Sequence, residues 1–288
     1  MEGSKPALDA HHRSAIGIFD SGVGGLSVLR EIAGRMPCED LVYLADEAHV
    51  PYGSRRLGEI RAFSRAITSF LIEQGARLVV VACNTASAAA LQRLREWFDI
   101  PIVGMEPAVK PAAERTRSRH VGVIATQATF QGELFSRLLE RFAHGTVVHT
   151  QVCPGLVERV EAGQLDDPQT EALLRACLQP LLTMGVDSLV LGCTHYPFLL
   201  PTILRVVGPG VEVIDPAPAV ARQTQRVLEA TGRRCQEGKG SVTYFTTGSR
   251  SDFELKLGRL VSVPGAVRAA AWKARRLLAV VDPDEGPK

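Results

Sequence analysis

Short strand-like segments alternate with longer amphipathic segments along this chain. Residues 57–74 and 169–184 carry apolar side chains at helical spacing, and the segments between such helices have the length and composition of buried strands. The strand-like segments are residues 15–19, 41–44, 78–82, 100–103, 120–125, 146–152, 188–192, 211–214 and 242–247. Strands that alternate with helices of this length predict βαβ units and an α/β fold with mostly parallel sheets.

The two halves of the chain follow the same plan. In each half a strand is followed by a polar turn and a helix, and a later strand ends in a cysteine, Cys83 or Cys193. This duplication predicts two pseudo-symmetric domains, with the two cysteines related by a pseudo-two-fold axis. The predicted parts are a disordered leader at 1–14, a first lobe of 15–104 plus about 216–261, a second lobe of 105–215 and a C-terminal tail at 262–288. We expect the basic segment of that tail to be a solvated surface helix with a frayed end.

Composition narrows the class of protein. The 288 residues are 45% hydrophobic and 22% charged, with a formal net charge of +2. These values are ordinary for a globular protein and argue against a dominant role on nucleic acid or a membrane surface. Residues 1–13 lack the apolar core of a signal peptide, and the six cysteines include no close Cys-x-x-Cys pair. We therefore expect a cytoplasmic protein with reduced thiols.

Two cysteines stand out because each ends a buried strand and is followed by small polar residues. Cys83 lies in Leu78–Ser87, and Cys193 lies in Leu189–Pro197. The carboxyl ends of parallel strands place binding residues at one edge of a sheet, so we expect the two thiols to face each other across one substrate. A thiol near neutral pH can act as a base or as an acid. Two opposed thiols therefore suit the inversion of a stereocentre by proton exchange.

Polar residues next to the cysteines complete the predicted site. Asp20 is the candidate partner of Cys83, although capping of its helix is an alternative role. His195 follows Cys193 by two residues and can exchange a proton with it or stabilise its thiolate. Neutral donors that suit the carboxylate and ammonium groups of a small zwitterion come from Ser21, Asn84, Thr85 and Thr194.

Three other kinds of binding site are compatible with some of the same residues. The glycine-rich turn at 20–25 suits a ligand carboxylate better than a dinucleotide, because Ser27 stands where the dinucleotide fingerprint has glycine or alanine. Cys83, Cys193 and His195 could hold zinc, but only three ligands converge and their spacing is not that of a structural site. A pyridoxal cofactor would need a Schiff-base lysine, and no lysine lies in a cysteine motif. We therefore expect neither a cofactor nor a metal.

Four segments in order resemble glutamate racemases of the aspartate/glutamate racemase superfamily. These segments are Asp20–Leu26, Pro51–Gly53, Ala82–Thr85 and Gly192–Pro197, and the similarity runs from about Ile16 to Leu260. The resemblance implies a cofactor-independent isomerase that interconverts L- and D-glutamate by two-base proton transfer and supplies D-glutamate for peptidoglycan. It also implies two α/β domains with the active site in the cleft between them, and glutamate as the small-molecule partner. We further expect a homodimer and, from the composition, neither a membrane nor a nucleic-acid partner.

The resemblance assigns roles to individual residues. Cys83 and Cys193 match the two proton-transfer cysteines, and the groups that assist them match Asp20, Glu158 and His195. The matched substrate contacts are Asp20, Ser21, Pro51, Tyr52, Gly53, Asn84, Thr85, Thr126, Thr129, Thr194 and His195. Residues 153–158 depart from the family pattern, which usually has a longer apolar stretch before the glutamate. The alternatives are a racemase of aspartate or another acidic amino acid, and a non-catalytic regulatory protein on the same fold.

Overall fold

A computed structural model describes residues 15–143, 145–235 and 237–280, so the predicted leader and the end of the predicted tail lie outside the described residues. The described strands are β1 (Ala15–Asp20), β2 (Leu41–Ala45), β3 (Ala76–Val81), β4 (Ile102–Gly104), β5 (His120–Ala125), β6 (Val147–Val152), β7 (Ser188–Gly192), β8 (Glu212–Ile214), β9 (Val242–Thr246), β10 (Ala266–Lys273) and β11 (Arg276–Ala279). The described helices are α1 (Leu26–Arg35), α2 (Leu57–Glu73), α3 (Asn84–Trp97), α4 (Val109–Arg115), α5 (Gln127–Gln131), α6 (Glu133–Phe142), α7 (Leu156–Glu161), α8 (Pro168–Thr183), α9 (Leu200–Val207), α10 (Ala217–Ala230) and α11 (Arg250–Leu260).

The described strands form two sheets, one of seven strands and one of four. The larger sheet has the order β11-β10-β9-β2-β1-β3-β4, and the smaller has the order β6-β5-β7-β8. Within these sheets, neighbouring strands are parallel except for β10 and β11. The α/β fold with two parallel sheets is thus confirmed. We call the larger sheet with its helices the first lobe and the smaller sheet with its helices the second lobe; the predicted domain boundaries stay a prediction.

The two lobes share one four-stranded plan. The series β2-β1-β3-β4 and β6-β5-β7-β8 have the same connectivity, so β3 in the first lobe corresponds to β7 in the second. All residues of β1 and β7 are buried, which is the pattern of a parallel strand covered on both faces. Cys83 directly precedes α3 and Cys193 directly follows β7. The duplication therefore puts the two thiols at equivalent places in the two lobes.

The lobes are joined by a common hydrophobic core. One buried cluster contains Val23 and Leu26 of the first lobe together with Leu156, Cys193 and Tyr196 of the second. Burial of apolar surface between the lobes holds them against each other along this side. None of the described helices is both long and apolar enough to cross a lipid bilayer.

The C-terminal segment differs from the prediction. Residues 262–280 were expected to form a surface helix and a frayed end, but they contain β10 and β11, which extend the larger sheet. The physical reason is the edge of β9, which would otherwise present unpaired backbone groups. β10 pairs with β9 in parallel, with Ala266 opposite Thr243. The half-buried Trp272 then donates its indole N–H to the buried Asp46 carboxylate over 2.8 Å.

This contact gives a stability prediction. Replacement of Trp272 by Phe keeps the ring but removes the donor, so we expect the free energy of unfolding to fall by about 1–2 kcal/mol. The measurement is urea denaturation followed by circular dichroism. Trp97→Phe is the matched control, because Trp97 is 39% exposed and its change should stay within about 0.5 kcal/mol. Equal effects of the two substitutions would contradict a stabilising role for the Trp272–Asp46 bond.

Candidate active site

The two predicted thiols lie buried in the space where the lobes meet. Cys83 is 4% exposed and Cys193 is 6% exposed. The two groups are close enough for the charge of Cys193 to act on the Cys83 thiol. Such burial describes a closed site, so a substrate can enter only when the lobes separate.

Cys83 is held by the start of α3. It is the N-cap residue of that helix, and the Ala86 N–H donates to its Sγ over 3.5 Å. Burial, reinforced by the negative charge of Asp20, raises the pKa of the Cys83 thiol well above its usual value. Burial likewise raises the pKa of Asp20, against the opposing charge of His195. Proton sharing between Cys83 and Asp20 is therefore favoured over two separate negative charges in this part of the site.

Cys193 lies next to His195, which in turn contacts a carboxylate. His195 Nδ1 lies 3.7 Å from Cys193 Sγ, and His195 Nε2 lies 2.8 Å from Glu161 Oε1. Burial alone would lower the pKa of His195, but its contacts with Cys193 and Glu161 raise it well above the usual value. Burial opposes ionisation of Glu161, yet the hydrogen bond to His195 and the charge of that ring lower its pKa overall. The arrangement thus supports a protonated His195 between the Cys193 sulfur and the Glu161 carboxylate.

The glycine turn brings the lobes into close contact. A methyl group added at Gly22 would lie 1.9 Å from Glu161 Oε1, and one added at Gly24 would lie 2.4 Å from His195 Nδ1. The Val23 N–H donates to Glu161 over 2.9 Å, and the Gly25 N–H donates to Asp20 over 2.7 Å. The turn was expected to bind a ligand carboxylate. These two amides instead bind carboxylates of the protein itself.

Hydroxyl groups from both lobes meet on the Cys83 side. Thr85 Oγ1 lies 2.8 Å from Thr126 Oγ1 and 3.2 Å from Thr129 Oγ1, and the latter two atoms are 3.0 Å apart. A methyl group at Gly53 would lie 2.8 Å from Thr126 Cβ, so the loop at 51–53 also reaches the second lobe. These contacts bring Gly53, Thr85, Thr126 and Thr129 together, and their role as substrate contacts stays a prediction.

Some buried polar atoms lack partners in this closed site. Asn84 is 3% exposed, and neither its Oδ1 nor its Nδ2 has a hydrogen-bond partner among the described residues. Asp20 Oδ1 is likewise buried without a hydrogen-bond partner among the described residues. Unpaired buried polar groups are costly and are commonly found where a ligand binds. An amide that follows Cys83 directly can donate to a carboxylate and accept from an ammonium group.

A metal ion has no evident place among the described residues, where no three His, Cys, Asp or Glu side chains are grouped to hold one.

The chain is similar to known proteins over most of its length. A model of the Asp/Glu/hydantoin racemase family matches residues 24–224. A protein from Pseudomonas aeruginosa named glutamate racemase is 50% identical over 255 residues, which are 88% of this chain and 96% of that protein. The structure of glutamate racemase isoform RacE1 from Bacillus anthracis superimposes with a TM-score of 0.85 at 34% identity, over 92% of this chain and 100% of that one. Escherichia coli glutamate racemase, solved with L-glutamate and the activator UDP-MurNAc-ala, has a TM-score of 0.79 at 32% identity, over 93% and 100% of the two chains.

The chain belongs to the Asp/Glu/hydantoin racemase family. The resemblance drawn from the four motifs is therefore confirmed, and the protein is an isomerase of the racemase class.

In this racemase Glu161, and not the predicted Glu158, is the glutamate that contacts His195. Glu158 is exposed, whereas Glu161 contacts His195 and Val23. Both residues lie in α7, whose buried face is formed by Leu156, Val157 and Val160. Glu161 follows Val157 by four residues and so lies nearer that face than Glu158 does. Helical spacing counted from the start of α7 would have identified it.

The structure places the other predicted residues of the racemase as follows. Ser21 and Thr194 are buried beside Asp20, and Thr194 Oγ1 lies 3.4 Å from Asp20 Oδ2. Tyr52 is also buried, but its hydroxyl donates to Asp46 over 2.6 Å, so its proton already has an acceptor within the protein. Pro51 directly precedes that tyrosine in the same loop. Sequence reasoning missed Asp46, which also accepts from His49, Thr247 and Trp272.

The Glu161–His195 pair makes a pH-dependent contribution to stability. The lowered pKa of Glu161 makes its contribution complete above the unfolded value of about 4.3, and it is lost as the pH falls through the folded pKa. The raised pKa of His195 makes its contribution complete below about 6.5, and it is lost as the pH rises through the folded pKa. Both contributions are therefore complete between about pH 4.3 and 6.5.

We expect Glu161→Gln to lower the free energy of unfolding by about 1–3 kcal/mol in that window, because His195 stays buried without its carboxylate. The loss should shrink in more acidic solution. Urea denaturation at a series of pH values measures it, with the exposed Glu158→Gln as the matched control at about 0.5 kcal/mol or less. A larger loss for Glu158→Gln than for Glu161→Gln would reverse the assignment of the two residues.

Proposed function

We propose that this racemase interconverts L- and D-glutamate by proton transfer between Cys83 and Cys193. The observation that carries the proposal is the placement of two buried thiols at equivalent positions of the two lobes, each beside its own proton-sharing group. Asp20 is that group for Cys83, and His195 is that group for Cys193. Glutamate is the choice of substrate because the Pseudomonas aeruginosa relative carries the name glutamate racemase and the Escherichia coli relative was solved with L-glutamate.

In the proposed reaction one thiolate removes the Cα proton and the opposite thiol delivers a proton to the other face. The protonated form of His195 stabilises the thiolate of Cys193, while Asp20 shares a proton with Cys83. The Cα–H bond of an amino acid is a very weak acid. Catalysis therefore depends on a closed site, in which water is excluded and the charged groups act through a low dielectric.

The substrate's charged groups have matching partners in this proposal. Asn84 supplies an amide whose N–H and C=O are both unpaired among the described residues. Ser21, Thr85 and Thr194 supply further hydroxyl groups, and all three residues are buried. Together they bind the α-carboxylate and α-ammonium groups. We further propose that the D-glutamate product serves peptidoglycan synthesis and that the active form is a homodimer.

The direct test is α-proton exchange in D₂O without added cofactor, monitored by mass spectrometry and by the loss of optical rotation. We expect L- and D-glutamate each to gain one deuterium at Cα as rotation is lost. Cys83→Ser and Cys193→Ser should each lower kcat/KM by about 10²-fold or more. Cys38→Ser, at a half-buried cysteine, is the control and should leave the rate unchanged. Exchange of aspartate but not glutamate would move the proposal to the alternative substrate, and exchange of neither would favour a non-catalytic protein.

Asn84 gives a second prediction, in which stability and activity change in opposite directions. Asn84→Ala removes two unpaired buried polar atoms, so the free energy of unfolding without substrate should rise by about 1 kcal/mol. The same change removes substrate contacts, and the KM for glutamate should rise by about tenfold or more. Urea denaturation and initial rates measure the two effects. Ser64→Ala is the control, because its hydroxyl is also buried without a partner among the described residues but lies in α2. An unchanged KM in Asn84→Ala would remove this residue from the binding site.

A further inference from the structure

A row of alternating charges continues from the Cys193 thiol to helix α11. His195 contacts Glu161, and Glu161 Oε2 lies 3.4 Å from the Nζ of Lys256. The same ammonium group forms an ion pair with Glu47, which follows β2 in the first lobe. Lys256 belongs to α11 and lies beyond residues 24–224, the part of the chain that the family model matches.

We propose that Lys256 is a positioning residue for proton transfer at Cys193. It holds the Glu161 carboxylate in the orientation that supports a protonated His195, and through that ring it supports the thiolate of Cys193. The effect of Lys256 on catalysis rests on the proposed function. Its effect on the thiolate itself is independent of the substrate.

The two oxygens of Glu161 explain why such a residue is needed. Oε1 accepts from both His195 and the Val23 N–H, while Oε2 points to Lys256. The Glu161 side chain is 12% exposed, so without the lysine this carboxylate has a route to water. A carboxylate that rotates toward water no longer fixes the hydrogen bond to His195.

Lys256 is itself held in place. Burial opposes its charged form, but Glu47 and Glu161 raise the pKa of Lys256 overall, so the ammonium group is retained. Glu47 also accepts from the Thr246 hydroxyl, and that hydroxyl accepts from the Gly248 N–H. Lys256 therefore connects Glu161 to a hydrogen-bonded part of the first lobe.

Other titratable groups surround the same thiol and have to stay constant in a test. Cys193 interacts with His195 from its own segment, with Cys83 and Cys153 from two neighbouring segments, and with Tyr196. Asp20 acts on the same surroundings through its interaction with His195. Lys256 is separated from the thiol by His195 and Glu161, so its replacement leaves the direct neighbours in place.

A purely structural tie between the lobes is the competing explanation. Because Lys256 contacts Glu47 in the first lobe and Glu161 in the second, its loss also weakens a bridge between them. A structural tie alone would change stability and substrate binding but not the ionisation of a thiol. The pH profile of Cys193 therefore separates the two explanations.

The experiment follows alkylation of Cys193 by iodoacetamide from pH 5 to 10 in a Cys83→Ser background, with the modified peptide identified by mass spectrometry. Lys256→Met should move the midpoint of the profile to higher pH by about 0.5–1 unit, since one positive charge and the fixed carboxylate are lost. Lys256→Arg should keep the original midpoint. Glu254→Gln, which breaks an exposed ion pair with Arg250 on the same helix, is the matched control.

The kinetic arm uses the same substitutions with Cys83 intact. Lys256→Met should lower kcat for glutamate by about tenfold and leave KM within about twofold. The loss is smaller than the contribution of a general acid–base group, because Lys256 acts through two other residues. A folded Lys256→Met with unchanged midpoint and kcat would overturn the proposal, as would Lys256→Arg behaving like Lys256→Met. If Lys256→Met does not fold, Lys256→Gln takes its place under the same criteria. A wild type that fails to racemise glutamate while the midpoint still shifts would overturn the proposed substrate but not the role of Lys256 at the thiolate.

Discussion

The first lobe's glycine turn packs directly against Glu161 and His195 of the second lobe, and the geometry of the site depends on that close approach. Because Gly22 and Gly24 carry no side chain, the turn can bring its backbone N–H groups to two carboxylates. One of these, Glu161, supports the group beside Cys193, and the other, Asp20, lies beside Cys83. A single turn thus contacts the partners of both thiols, and its hydrogen bond from the Val23 N–H to Glu161 joins the two lobes.

The duplicated scaffold places the thiols symmetrically but surrounds them differently. Thr85 and His195 each lie two residues after a cysteine, yet Thr85 meets uncharged threonines whereas His195 meets a carboxylate. The raised pKa values of Cys83 and Asp20 favour a proton on the first side of the closed site, while the raised pKa of His195 favours one next to Cys193. In the proposed reaction this difference lets one thiol begin as the acid while the other begins as the base.

The sequence predicted the parts of the molecule that follow from periodicity and from strand ends. The strands of both lobes, the position of each cysteine and the neighbouring polar residues are of this kind. Glu161 was missed because α7 is short and the resemblance drew attention to Glu158 instead. β10 and β11 were missed because the basic residues of the segment suggested a surface helix, while the deciding factor is the unpaired edge of β9. Lys256 carries no local signal, since its contacts with Glu47 and Glu161 join distant parts of the chain.

The closed site also constrains how a substrate reaches the thiols. The lobes share an apolar core around Val23 and Tyr196, whereas Thr85 meets Thr126 and Thr129 through hydroxyl groups. Breaking one such hydrogen bond costs about 0.5–1.5 kcal/mol, because water replaces the lost partner. Exposing a large buried side chain costs about 1.5–3 kcal/mol, and many such side chains contribute to the shared core. The threonine side has an apolar contribution as well, because Ala128 of α5 packs in one buried cluster with Tyr52 and Ala86 of the first lobe. In the proposed reaction the substrate therefore enters only when contacts of both kinds break, and their re-formation encloses it between the thiols.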